Sequence, residues 1–285
     1  MKSLNTDDLL SLTTNAAIEH SGSPQWFDFF IRLHQIALKG LGGLEKRLTW
    51  CDDGIIRRIF RVLGVERGFF VEIGASDGIH LSNCRALAQR GWSGCSIEAD
   101  HAMAEQLRNN YRDRSDVQCL EQFVAVSDAD PGASLDAIAA RHFAGRHVDF
   151  LSIDINGWDY RIFEQMQLRP TVVCIEGGFS WHPEFTQRVP EEVAAQDLQQ
   201  PLAVTIEIGR RKSYVPICFN QNTYFVVAEL ADRFAGFEKD AVSLWRDAWF
   251  NESQVFSDSL VEVRKDPLIR RLEGDAYAKI DFGGA

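Results

Sequence analysis

Between residues 68 and 230 the chain alternates short apolar runs with segments of helical spacing, and that alternation narrows the fold more than any other feature. The strand-like runs are GFFVEIGA (68–75), WSGCSIEAD (92–100), VQCLEQFVAV (117–126), VDFLSIDI (148–155) and TVVCIEGG (171–178). Between them lie LSNCRALAQRG, AMAEQLRNNY, SLDAIAARHF and a stretch near 158–166, all at helical spacing. Mostly apolar runs alternating with helices predict an α/β domain with a mainly parallel sheet covered on both faces. A loop with some helical character follows at 179–200. PLAVTIEIGRRK then predicts a helix with Pro201 at its first position, and YVPICFN with NTYFVVAEL predicts a closing hairpin.

Three regions follow from this reading. Residues 1–50 form a helical extension. Its run WFDFFIRLHQIALKG ends at Gly40 and places Phe27, Phe30, Ile31, Leu33 and Leu38 on much of one side. That side packs on the main domain or joins two copies in a homo-oligomer. Residues 51–235 form the α/β domain, opening with a helix near 54–64, and residues 236–285 form a helix-and-loop tail. With 41 acids against 30 bases the net charge is −11, and the excess acid lies beyond residue 50. Such a body repels polyanions, so nucleic acid and anionic membrane are poor partners. No apolar stretch approaches the ~20 residues of a membrane span. Six cysteines form no CxxC pair, and several sit inside apolar runs. With an N-terminus lacking a signal peptide's apolar core, this predicts a reduced, cytoplasmic protein.

In a parallel sheet of this kind ligands sit beyond the carboxyl ends of the strands. Here those ends are rich in carboxylates: Glu72 and Asp77 at the first, Glu98 and Asp100 at the second, Asp154 at the fourth and Glu176 at the fifth. A phosphate site would instead offer a glycine-rich turn, a helix N-terminus and often a base. This arrangement suits a ligand with hydroxyls and positive charge, and S-adenosylmethionine answers that description. Gly74 and Gly78 would let the backbone approach it, and Glu98, 24 residues after Gly74, stands where an acid meets a ribose. Two competing motifs fail. Gly74-Ala75-Ser76-Asp77-Gly78 does not match GxGxxG. It does satisfy the GxSxG of a hydrolase elbow, but only helical sequence precedes it and Asp77 would oppose an oxyanion.

FVEIGASDGIHLSNCRALAQRGWSGCSIEAD with the NNY at 109–111, then VDFLSIDINGWDYRIFEQMQLRPTVVCIEG, resemble the FkbM-type branch of class I S-adenosylmethionine-dependent methyltransferases. Lys212–Tyr214 and Asn222–Phe225 give a weaker third match, and the whole spans about 68–228. The resemblance implies a Rossmann-like, mainly parallel seven-stranded sheet with an antiparallel final strand. It also implies methyl transfer to a hydroxyl on a sugar, glycan or secondary metabolite. Carried over residue by residue, it sets Glu72, Gly74, Ala75, Ser76, Asp77 and Gly78 around the amino-acid end of the cofactor. Ser82 and Asn83 meet the same end, Glu98 the ribose, Phe123 or Val124 the adenine, and Asp154 the junction of cofactor and acceptor. The chain departs from the family pattern at Asn156 (usually Asp), Trp158 (usually Asn), Gly177-Gly178 (often Tyr-Asn) and Cys84 (commonly Thr). All but Cys84 fall on the acceptor side.

A hydroxyl acceptor must lose a proton, so a base or a metal is needed. Asp154 and Glu176 end neighbouring strands and could share Mg²⁺, or could simply hydrogen-bond backbone and cofactor. His182 is the first base candidate, with Asp159 and Tyr160 behind it. Trp158, Phe179 and Trp181 could wall an apolar acceptor, and Arg210-Arg211-Lys212 could meet an anionic one or form a solvated helix end. Two other activities stay open: an inactive methyltransferase-like scaffold and an N-methyltransferase.

Overall fold

The computed structural model describes residues 52–126, 128–177, 181, 185–191, 194, 199–220, 222–234 and 240–247. The expected helical extension at 1–50, its oligomer contact and most of the tail lie outside the described residues. Helix α1 (Asp52–Leu63) leads into β1 (Phe69–Ile73), α2 (Arg85–Gln89), β2 (Ser93–Glu98), α3 (His101–Asn110) and β3 (Val117–Glu121). Next come α4 (Leu135–His142), β4 (Phe150–Ile153), α5 (Asp159–Gln165), β5 (Val172–Glu176) and α6 (Leu202–Arg211). The hairpin β6 (Tyr214–Asn220) and β7 (Asn222–Val227) follows, then a 3₁₀ segment (Ala228–Phe234) and α7 (Ala241–Asp247).

The seven strands form one sheet in the order β3-β2-β1-β4-β5-β7-β6. β1 to β5 pair in parallel, and β7 runs antiparallel to both β5 and β6. The order reverses between β1 and β4, which opens a crevice at their carboxyl ends. This is the Rossmann-like, mainly parallel seven-stranded sheet with an antiparallel strand expected from the sequence.

The two-residue period of a strand divides the core. Phe69, Val71 and Ile73 of β1, Leu151 and Ile153 of β4, and Val173 and Ile175 of β5 face the layer built by α4, α5 and α6. Phe70, Phe150, Val172 and Cys174 face the opposite layer, which takes Ile55, Ile56, Ile59, Phe60 and Leu63 of α1 and Leu87 of α2. Phe60 meets Trp92 edge-on at 4.6 Å and Phe150 at 5.9 Å. Each such fully buried large side chain contributes roughly 1.5–3 kcal/mol.

Several boundaries shift from the expected ones. The helix predicted from Leu81 begins only at Arg85, where the Ser82 hydroxyl accepts the Arg85 N–H at 3.0 Å. The third strand stops at Glu121, and the apolar residues after it leave the ladder for the crevice, save a bridge from Ala125 to Ser134. Pro201 caps α6 rather than opening it. In the tail, α7 packs on β6 and α6 and buries Leu244 in the core.

Candidate functional site

A cleft of about 920 Å³ opens beyond the carboxyl ends of β1, β2, β4 and β5. Of the residues singled out in the sequence, Gly74, Ser76, Ser82, Glu98, Phe123, Val124, Asp154, Asn156, Trp158 and Glu176 line it. Glu72, Ala75, Asp77, Gly78 and Asn83 stand behind this wall.

The wall is built from tight turns. Gly74 has φ +78, and a Cβ there would lie 1.7 Å from the Asp154 carbonyl oxygen, so only glycine lets β1 end against β4. The Gly74 and Ala75 N–H groups both donate to the Ile97 carbonyl at 3.0 Å. Ser76, also left-handed at φ +49, donates its N–H to Glu98 Oε2 at 2.8 Å. The Asp100 N–H donates to Glu98 Oε1 at 2.7 Å. Each carboxylate oxygen has two acceptor sites, so Glu98 keeps one per oxygen for a ligand diol.

Asp77 serves its own loop rather than the cleft. Its carboxylate accepts the Ile79 and His80 N–H groups at 2.9 and 2.8 Å and is hydrogen-bonded to Nδ1 of the His80 ring. Burial alone would raise its pKa, but these donors outweigh it and hold the carboxyl below the usual range. Gly78 also departs from its expected part. At φ +73, a Cβ there would meet Leu107 Cδ1 at 2.5 Å and Tyr111 Cε2 at 2.6 Å, so this glycine seats α3 and not a ligand. Asn83 donates to Ser152 Oγ at 3.0 Å, and Ala75 is core.

Glu72 is buried behind Ser82, whose hydroxyl donates to it at 2.9 Å, while the Cys84 N–H donates at 3.2 Å. Burial lifts its pKa from an ordinary 4.5 to about 7, although these hydrogen bonds oppose the rise.

At the other end of the cleft, Asp154, Asp159 and Glu176 place carboxylate oxygens within 4.8 Å of one another. Asp154 and Glu176 lie side by side, and the pKa of each is raised above its ordinary value. Burial is the main cause for each, and for Glu176 the neighbouring Asp154 and Asp159 charges add to it. Asp159 is fully buried. Its Oδ1 accepts the Ile155 N–H at 2.8 Å, and its Oδ2 accepts the Gly157 N–H at 2.9 Å and Gln199 Nε2 at 3.0 Å. It therefore fixes the turn after β4 and opens α5, and is not an exposed base. Gln199 Nε2 also reaches Glu176 Oε2 at 3.1 Å. A divalent ion would find two carboxylates lining the cleft and a third, buried, that already accepts three neutral donors, a poor match to a hard cation's appetite for oxygen ligands.

Other expectations are corrected. Trp181 is fully buried, stacks on Phe185 at 5.5 Å and donates Nε1–H to the Gln199 carbonyl at 3.1 Å, so it supports the site from the core instead of walling it. Tyr160 is buried and unavailable as a base. Lys212 donates to the Glu164 and Met166 carbonyls at 3.2 and 2.7 Å, capping α5, and Arg211 pairs with Glu164 at 3.2 Å. His182, Gly178 and Phe179 lie outside the described residues. Sequence reasoning missed His80, Leu81, Met103 and Gln122, which line the cleft, and Gln199 beneath it. The Asp-x-x-His spacing at 77–80 was the available signal for His80. Gln199 had none, because it arrives from a distant polar loop.

No family model matches the sequence, and no curated protein matches it. Among solved structures, a candidate caffeoyl-CoA O-methyltransferase from Staphylococcus aureus is 15% identical, with 78% of this chain and 98% of that one covered at a TM-score of 0.43. A SAM-dependent methyltransferase from Aquifex aeolicus is 9% identical, with coverages of 66% and 96% and a TM-score of 0.37. A TehB-like SAM-dependent methyltransferase from Corynebacterium glutamicum is 9% identical, with coverages of 73% and 98% and a TM-score of 0.37. At such identities and TM-scores the likeness assigns no activity to this chain. Among the described residues, no helix is long and apolar enough to cross a membrane.

Proposed function

We propose that the chain is an S-adenosylmethionine-dependent methyltransferase acting on a hydroxyl of a sugar, glycan or secondary metabolite. The observation that carries this reading is Glu98. It ends β2, lines the cleft and is fixed by the Ser76 and Asp100 N–H groups while each oxygen retains an acceptor site. That is the fitting partner for a ribose diol in a sheet of this topology. Ser82 and the turn at Gly74 would hold the amino-acid end, and Phe123 and Val124 the base. When bound, the sulfonium compound supplies an electrophilic methyl carbon.

The chain's own part is alignment and proton handling. Asp154 and Glu176 lie side by side at the acceptor end of the cleft. One of them would accept the hydrogen bond of the acceptor hydroxyl and take its proton as the new bond forms. Gln199 and Asp159 brace Glu176 and the turn from below.

The test is calorimetric titration with S-adenosylhomocysteine, followed by a labelled-methyl assay. Micromolar binding that Glu98→Ala removes is the expected result. The absence of any heat with the wild-type protein would refute the reading.

A further inference from the structure

We propose that the methyl acceptor is a non-phosphorylated amino alcohol, with its protonated amine held between Asp154 and Glu176 and its apolar body against Trp158. The proposal rests on the methyltransferase reading of the same cleft and names the class of molecule that completes it.

The first observation is the charge inventory of the walls. Among the described residues lining the cleft, Glu98, Asp154 and Glu176 are acidic, none is Lys or Arg, and His80 is the one basic side chain. His80 is tied to Asp77, in the loop after β1 and away from the acid pair in sequence. A phosphate group would meet carboxylates with no cation beside them. An ammonium supplies the countercharge that Asp154 and Glu176 lack.

The second observation is an orphaned acceptor. Gln199 is 3% exposed, and its amide nitrogen is committed to Asp159 and Glu176. Its Oε1 is buried and has no hydrogen-bond partner among the described residues. A buried acceptor left unmade is costly, so its place beside the acid pair points to a donor that arrives with a ligand. An ammonium brings three N–H groups. Asp154 and Glu176 line the cleft, and Gln199 lies behind them with its amide on Glu176.

The third observation is Trp158. It immediately precedes Asp159 of the acid cluster, lines the cleft and keeps 37% of its surface exposed. Leu81, at 44%, and Phe123, at 69%, extend the apolar rim. An indole face favours both a nearby cation and an aryl or alkyl body. Two carboxylates also match the two polar groups of an amino alcohol. With the ammonium between them, a further carboxylate oxygen of one acid accepts the hydroxyl's hydrogen bond.

The experiment uses the full chain, with and without saturating S-adenosylhomocysteine. Calorimetry measures the binding of phenylethanolamine, its N-acetyl derivative and phenyl phosphate. Phenylethanolamine is expected to bind about tenfold or more tighter than the N-acetyl derivative, the effect of one charge-assisted hydrogen bond. Glu176→Gln, folded by circular dichroism, should shrink that ratio to about threefold or less, and Trp158→Ala should weaken both ligands alike. Equal binding of amine and amide by the wild-type protein overturns the proposal, as does tighter binding of phenyl phosphate, and neither result depends on a variant folding. A lack of heat from S-adenosylhomocysteine alone strikes instead at the methyltransferase reading.

Discussion

Glu72 gives the sharpest test of how the site is built, because its carboxylate is taken from water with only neutral donors to receive it. The Ser82 hydroxyl and the Cys84 N–H meet it, no cation among the described residues pairs with it, and burial raises its pKa from 4.5 to about 7. The folded protein therefore holds an extra proton between those two values. Stability declines as pH rises through that window and levels off above it. At about 1.4 kcal/mol per pH unit, ionised Glu72 destabilises the fold by about 3 kcal/mol at pH 8.5 and by less than about 1 kcal/mol at pH 5. Glu72→Gln keeps the shape and an acceptor for Cys84 while removing the charge. In urea denaturation without ligand, the variant should exceed the wild type by up to about 3 kcal/mol at pH 8.5, a rise of roughly 6–12 °C in Tm. At pH 5 the two should nearly coincide. A gain independent of pH, or a variant less stable at pH 8.5, would refute the argument that desolvation dominates at this position.

Three further outcomes follow from the same geometry. Glu98→Gln should weaken S-adenosylhomocysteine about tenfold in calorimetry, since one charge-assisted contact is lost; unchanged affinity would remove Glu98 from the ribose. Gly78→Ala should lower stability by about 2–3 kcal/mol in urea, because it adds both left-handed strain and a clash with Leu107 and Tyr111; a neutral result would mean that α3 can shift. Dialysis against EDTA should leave methyl transfer unchanged, since Asp159 is buried and already accepts three N–H donors; loss of activity restored by Mg²⁺ would show that Asp154 and Glu176 hold a metal.

The sheet was legible because its physics is local. FFVEI, SGCSIE and VVCIE are apolar runs of strand length ended by glycine or acid, and each forms the strand expected of it. The cleft wall beyond β1 and β2 was largely legible too, because Gly74, Ser76 and Glu98 lie next to strand ends that topology brings together. What failed was the direction in which a side chain points. Asp77 and Gly78 carry the same chemistry as their cleft-lining neighbours, but one turn of chain aims them at His80 and at α3. Trp181 misled for the opposite reason, since an aromatic in a loop offers no local sign of whether it faces solvent or core. Gln199 was hidden because its partners are 23 and 40 residues away and nothing in a polar loop marks one amide among several.

The distribution of unfavourable features argues that this edge of the sheet is kept for chemistry. Five described non-glycine residues adopt a positive φ: Ser76, Leu81, Asn156, Gln199 and Ser213. The first three line the cleft and Gln199 hydrogen-bonds Glu176, so four of the five belong to it. Each such residue costs on the order of 1 kcal/mol. Glu72, Asp154, Asp159 and Glu176, all with pKa values lifted by burial, are at the same edge. A sheet selected for stability alone would place apolar side chains at these strand ends and relax the turns, as it does on the faces covered by α1, α4 and α6. Strain and desolvated charge persist together where a ligand can repay both, through hydrogen bonds to the turns and positive charge beside the acids. On that logic, binding of a cationic ligand should be worth more to the stability of this protein at pH 8 than at pH 5. Such a ligand at alkaline pH relieves ionised carboxylates, whereas at acid pH it competes with protons already there. Thermal shifts of the S-adenosylmethionine complex measured at both pH values, with affinity determined at each, read that difference directly, and a larger shift at pH 5 would contradict it.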